Sequence, residues 1–113
     1  MADFILQQKI NRMILKSTPR VMNMKKPEKF VLGAAIRESE YKILRLTILG
    51  NKTRESKRPY QTEIDAELEV LRAYLDIAVA PEARLISTGV HEEWSKEINE
   101  IGRLLGNWMK TTK

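Results

Sequence analysis

The sequence predicts an all-α protein, an antiparallel up-down-up-down bundle of four helices in a single domain spanning residues 1–113. Three observations carry that prediction. Four segments repeat their apolar residues by fours and threes, the spacing of one helical face. Prolines, a glycine–asparagine pair and a serine–threonine pair punctuate them where helices start and stop. No stretch alternates apolar and polar residues with the β-branched enrichment of a strand, so no sheet is expected.

The first segment runs from about Asp3, a candidate N-cap, to Lys16. Leu6, Ile10 and Met13 form its apolar face, widened by Ile14, with Lys9, Arg12 and Lys16 as a neighbouring basic stripe. Pro19 is expected to stop this helix. Pro27 is expected to open the second, where its missing N–H costs nothing. Leu32, Ile36, Ser39, Ile43 and Leu46 are its stripe, and Gly50 and Asn51 its stop, both tolerating the left-handed conformation that closes helices. Pro59 starts the third segment, striped by Ile64, Leu68, Leu71, Leu75 and Ala78, and Pro81 ends it. The fourth follows Ser87 and Thr88 as caps, with Glu92 and Glu93 read as first-turn acids facing the helix dipole. Trp94, Ile98, Ile101, Leu105 and Trp108 make the cleanest stripe in the chain.

Composition narrows the function. Cysteine is absent, which removes disulfides, thiol nucleophiles and zinc sites built on sulfur. No secretory signal is visible, and the longest apolar run, Val31 to Ile36, is far too short to span a bilayer, so a cytoplasmic protein without a membrane partner is expected. The net charge of +5 is unevenly spread: residues 1–58 hold 14 of the 20 Lys and Arg against 5 acids, while residues 59–113 hold 6 basic residues and 10 acids. Such asymmetry suggests a basic face for polyanions, an acidic face opposite, or two surfaces attracting each other between subunits, and the plainer reading is a solvated surface with unevenly spread lysine. The connection from Lys52 to Arg58 (KTRESKR) is the most basic, with Lys52, Arg54, Lys57 and Arg58 among its seven residues.

Catalysis is not expected, and neither is a metal or cofactor. The lone histidine, His91, has no glutamate three residues before it, so the Glu-x-x-His pairs of di-metal bundles are missing. It falls on the apolar stripe and reads as a half-buried histidine with one hydrogen-bond partner rather than a base. Glu93, Glu97 and Glu100 line one side of the fourth segment beside Lys96 and read as a salt-bridged, solvated face. Gly102 and Gly106 each cost a mid-helix residue about 1 kcal/mol. They are expected where another backbone approaches closely, in a tight crossing within the chain or a subunit contact. Arg72, flanked by Glu69 and Asp76, reads either as a local ion-pair partner or as an arginine at an interface rim.

The stretch D-A-E-L-E-V-L-R-A-Y-L from Asp65 to Leu75, followed by I-N-E-I-G-R-L-L-G-N-W from Ile98 to Trp108, resembles the accessory variability determinant (Avd) family of diversity-generating retroelements. Wider relatives of that family are the four-helix proteins encoded in bacterial 23S rRNA intervening sequences. The T-P-R of Thr18 to Arg20, and a long second helix ending at Leu49 and Gly50, also fit. The resemblance implies a barrel-shaped or ring-like homo-oligomer, a pentamer with basic surfaces, and a role without catalysis. It further implies partnership with a reverse transcriptase, and binding of template RNA and cDNA with little sequence preference during mutagenic copying. On that basis the expected nucleic-acid contacts are Lys9, Arg12, Lys16, Arg20, Lys25, Lys26, Lys42, Arg45, Lys52, Arg54, Lys57 and Arg58. Arg72 matches the arginine of the family's L-R-x-aromatic-L pattern and becomes a candidate reverse-transcriptase contact. Gly102, Gly106 and Trp108 become candidates for helix packing or the oligomer interface. Two rivals stand beside this reading: an intervening-sequence protein of the same fold, and a purely structural homo-oligomer whose basic half pairs with a neighbour's acidic half.

Overall fold

The computed structural model describes residues 2–25 and 27–112, with side chains from Ile5 onward; Lys26 lies outside the described residues. Four helices, α1 (Ala2–Met22), α2 (Leu32–Lys52), α3 (Arg58–Val79) and α4 (Thr88–Thr111), are joined by a 3-10 turn at Glu28–Phe30 and by two loops, and no strand occurs among the described residues. Each helix packs against its sequence neighbours, and α4 closes the ring against α1. The result is a rod of 44 × 22 × 20 Å, as helices of 21 to 24 residues with a rise of about 1.5 Å per residue require.

The predicted stripes meet along the axis of this rod. Leu6, Ile10, Ile36, Ile43, Ile64, Leu68, Leu71, Leu75, Ala78, Trp94, Ile98 and Ile101 are all fully buried. This core is the main stabilising term, at about 1.5–3 kcal/mol for each large side chain removed from water. The four-three spacing was therefore a sound guide to which face turns inward.

The helix ends differ from expectation in informative ways. α1 does not stop at Pro19 but runs on to Met22. An interior proline costs about 3 kcal/mol or more. Here the carbonyl it leaves without a helical donor belongs to Leu15, on the exposed side of the helix, where solvent can serve it. The extra turn in return buries Val21, brings Met24 into the core and seats Arg20 against α4. Asp3 lies within this helix rather than ahead of it. Pro27 precedes the 3-10 turn, and α2 begins five residues later. At the far end α2 passes through Gly50 and Asn51 and stops at Thr53, in extended conformation. Neither of the two residues has a positive φ.

Gly50 serves packing, not termination. A Cβ there would lie 3.0 Å from Trp108 Cη2 and 3.0 Å from Tyr60 Cβ, so the bare backbone lets α3 and α4 close on α2. Ser87 is the N-cap of α4, accepting from the Val90 N–H at 3.1 Å, but Thr88 is already helical. No acid lies in that first turn; Glu92 and Glu93 come later. Pro59 sits in the first turn of α3, where its missing N–H is harmless.

Candidate nucleic-acid interface

Of the twelve predicted basic residues, the eleven within the described residues do not form one patch. Up-down-up-down order puts the α2–α3 loop at the end of the rod where α1 starts and α4 finishes, and the α1–α2 connection at the opposite end. Lys25 therefore stands at one end, and Lys52, Arg54, Lys57 and Arg58 at the other. Lys9, Arg12 and Lys16 run between them on the side of α1, bordering a groove against Lys96, Glu97 and Glu100 of α4. Lys42 and Arg45 are exposed on α2.

Their partners divide them further. Among the described residues Lys9, Arg12, Lys25, Arg45, Lys52 and Arg54 are exposed and form no ion pair. Lys16 pairs with Glu97 at 3.7 Å and Lys42 with Glu67 at 3.4 Å, both with ammonium groups still half in water.

Lys57 and Arg58 are engaged otherwise. The Lys57 ammonium donates to the carbonyls of Gly50 at 2.9 Å, Asn51 at 3.1 Å and Thr53 at 3.3 Å. It thus covers the negative C-terminal end of α2, where glycine and asparagine fail to close the helix. Arg58 donates to the Met109 carbonyl at 3.2 Å near the end of α4. Reversing these two charges would attack helix termini, so it cannot separate a nucleic-acid role from assembly.

Arg20 is largely enclosed. Its guanidinium makes two bonds to Glu97, at 2.8 and 2.9 Å, with Glu93 at 3.7 Å, and lies 5.1 Å from the Trp94 ring centroid. Its side chain keeps only 10% of its exposure, and the Glu97 hydrogen bonds hold it charged by raising its pKa. The geometry assigns Arg20 to holding α1 against α4.

Arg72 pairs with Glu69 on its own helix and reaches Asn99 Oδ1 at 3.5 Å across to α4. Asp76, its other predicted neighbour, instead meets His91 Nε2 at 2.9 Å, the one partner of that half-buried imidazole among the described residues. The Arg72 fork lies 3.4 Å from where a Cβ on Gly102 would stand, and nothing lies within 4 Å of one on Gly106. No tight crossing within the chain occurs at either glycine. Trp108, by contrast, is buried and packs on Gly50. Among the acids of α4, Glu97 meets Arg20 and Lys16, and Glu100 meets Arg103; Lys96 joins neither in an ion pair.

Sequence reasoning missed a polar cluster inside the bundle. Glu40 is fully buried. Its carboxyl lies 2.6 Å from Ser17 Oγ and accepts from Trp94 Nε1 at 3.2 Å. Burial pushes its pKa up to about 7, against the opposing pull of those two hydrogen bonds and of Arg37 and Arg20. The signal was present: Ile36, Glu40, Ile43 and Thr47 share the helical spacing, and choosing Ser39 for the stripe hid the glutamate beside it. Among the described residues no group of three His, Asp or Glu side chains is arranged to hold a metal, and no helix is long and apolar enough to cross a membrane.

Comparison with known proteins gives one family. The family model described as bAvd-like matches residues 4–112, nearly the whole chain. No curated protein matches it.

Proposed function

Because the chain belongs to the bAvd-like family, we propose that it is a non-catalytic accessory subunit that bridges a reverse transcriptase and its template RNA or cDNA in a diversity-generating retroelement. The observation that supports this reading best is the ridge of α1, where Lys9 and Arg12 stand exposed, with no ion pair among the described residues, beside the half-exposed Lys16. Cations held in place without carboxylate partners neutralise phosphates and release their counterions. Lys52 and Arg54 at one end, and Arg45 on α2, extend the same chemistry. Exposed aromatic rings are few, so binding is electrostatic and tolerant of sequence.

The test is a salt series. RNA affinity of the wild type is expected to collapse from low to moderate salt, and the Lys9→Glu/Arg12→Glu pair to lose at least tenfold at low salt with a shallower salt slope. Its thermal midpoint should fall only slightly, through the new repulsion with Glu97 and Glu100 across the groove, since neither side chain forms an ion pair or hydrogen bond among the described residues. A salt-independent interaction, or no interaction at all, counts against the proposal. Arg72 is the proposed reverse-transcriptase contact, and Arg72→Ala should weaken capture of that enzyme while leaving RNA binding intact.

The subunit is proposed to act as a homopentameric barrel. Leu15, Met22, Val31 and Ile77 stand exposed at 55% or more on the isolated chain, apolar surface of the kind that self-association covers. Gly102 and Gly106 give this a direct measurement. Within one chain alanine fits at both, so each Gly→Ala change is expected to stabilise an isolated protomer by about 0.5–1 kcal/mol. If the α4 face is a subunit contact, the same changes weaken assembly, and sedimentation against concentration reads the two effects separately.

A further inference from the structure

We infer that Glu40 is a proton-operated latch: as a neutral acid it donates to Ser17 of α1 while accepting from Trp94 of α4, and its ionisation releases the second half of α1. Ser17 Oγ lies 2.6 Å from Glu40 Oε1 and 2.8 Å from the Ile14 carbonyl. A hydroxyl carries one hydrogen. Were Glu40 a carboxylate, both neighbours would be acceptors, and one of these short contacts would set two oxygens against each other. With a proton on Glu40 Oε1 the chain closes: Glu40 donates to Ser17, Ser17 donates to Ile14, and Trp94 Nε1 donates to Glu40 Oε2. Arg37 Nη1, at 3.4 Å from Ser17 Oγ, is too distant to replace that proton.

The charges around the carboxyl leave it in this state. Arg37, on the same helix, spends its short hydrogen bonds on Thr18 and Tyr41. Arg20 of α1 is neutralised by Glu97 and Glu93 of α4. Glu67 of α3 is held by Ser39 and Lys42. In the 3-10 turn Glu28 is exposed, and the Lys29 ammonium lies over the Phe30 ring. Among the described residues no cation bonds the buried carboxyl directly, and burial favours its neutral form up to about pH 7.

The latch sits beside a gap in α1. Pro19 removes one rung of the helical hydrogen-bond ladder two residues past Ser17, so side-chain anchors add to the hold on the following turn. The sign of the linkage is the reverse of a salt-bridged carboxylate. The acid is neutral in the fold up to about pH 7 but ionised in the unfolded chain from the ordinary carboxylate range. Its contribution is therefore fully present below that range and lost as pH rises through about 7.

Amide hydrogen exchange of the full chain at pH 6 and pH 8, corrected for intrinsic rates, tests the inference. Protection over residues 14–24 is expected to fall about tenfold between the two, the factor that follows from a folded-state value near 7, while Glu40→Gln, neutral throughout, holds its protection constant. Equal pH dependence in both proteins, or none in the wild type, overturns it. Should the glutamine variant fail to fold, a carbon-13 NMR titration of the Glu40 carboxyl in the wild type decides. Titration near neutrality supports the latch, and titration in the ordinary carboxylate range ends it.

Discussion

Replacing Trp94 by alanine is expected to cost about 4 kcal/mol, the largest effect of any single substitution in α4. The indole is fully buried and performs three tasks at once. It fills the core where α1, α2 and α4 meet. Its Nε1–H satisfies Glu40 Oε2 at 3.2 Å, and its ring face carries the Arg20 guanidinium, 5.1 Å from the centroid. Alanine leaves a cavity, an acceptor without a donor in a dry site and an arginine without its platform, so the transfer, desolvation and cation–π terms all have one sign. Trp94→Phe keeps most of the volume and loses the donor, and should cost about half as much. Urea unfolding followed by circular dichroism measures both. Against a typical total of about 5–15 kcal/mol, the alanine variant would stand near the threshold of folding. A loss below about 1 kcal/mol for alanine would mean that the polar cluster is not structural.

The bundle was legible because burial in a helix has a period, and the residues carrying it here are unambiguous. Trp94, Ile98, Ile101, Leu105 and Trp108 leave one solution for the inner face of α4, and that face is buried. Helix ends were harder to read, for a physical reason. A stop signal such as Pro19 or Gly50 states a local cost of about 1–3 kcal/mol, and tertiary contacts of similar size can reverse the outcome. Burial of Val21 and Met24 outweighs the proline, and the approach of Trp108 and Tyr60 claims the glycine for packing. The close contact expected at Gly102 and Gly106 is found instead at a glycine read as a terminator. Both readings used the same property, the absence of a Cβ, and only the three-dimensional neighbours tell which use applies.

The charge pattern was legible in sum but not in detail. An excess of cations before residue 59 follows from the sequence; which of them are committed does not. Lys57 lies within reach of three carbonyls only because α2 ends where it does. Lys9 and Arg12 form no ion pair among the described residues because Glu97, in the groove beside them, is taken by Lys16 and Arg20, and Glu100 by Arg103 of its own helix. Pairing across helices depends on register, which composition does not encode. Glu40 shows the same limit from the other side: its spacing placed it on the inner face, but its stability there required Ser17, 23 residues away in sequence, and Trp94, 54 residues away.

Arg20 gives the second large effect and separates scaffold from binding surface. Arg20→Ala is expected to lower stability by about 2–3 kcal/mol, below the 3–5 kcal/mol of a wholly buried pair because Glu97 keeps 18% of its exposure and retains Lys16 at 3.7 Å. The loss comprises the two-toothed bond to Glu97 and the stack on Trp94, neither of which lysine can restore in full, since its ammonium lacks the planar fork. A double-mutant cycle with Glu97→Ala should return a coupling of about 1–2 kcal/mol. RNA affinity, measured where the variant remains folded, should change little, because a guanidinium closed in by Glu97, Glu93 and Trp94 keeps only 10% of its exposure and already faces two carboxylates. Were Arg20 a phosphate ligand, the pattern would invert, with stability spared and affinity lost. The same pair of measurements on Arg12→Ala is expected to give that inverted pattern. One helix then carries two arginines of opposite duty, separated by whether a carboxylate of α4 is left to pair with it.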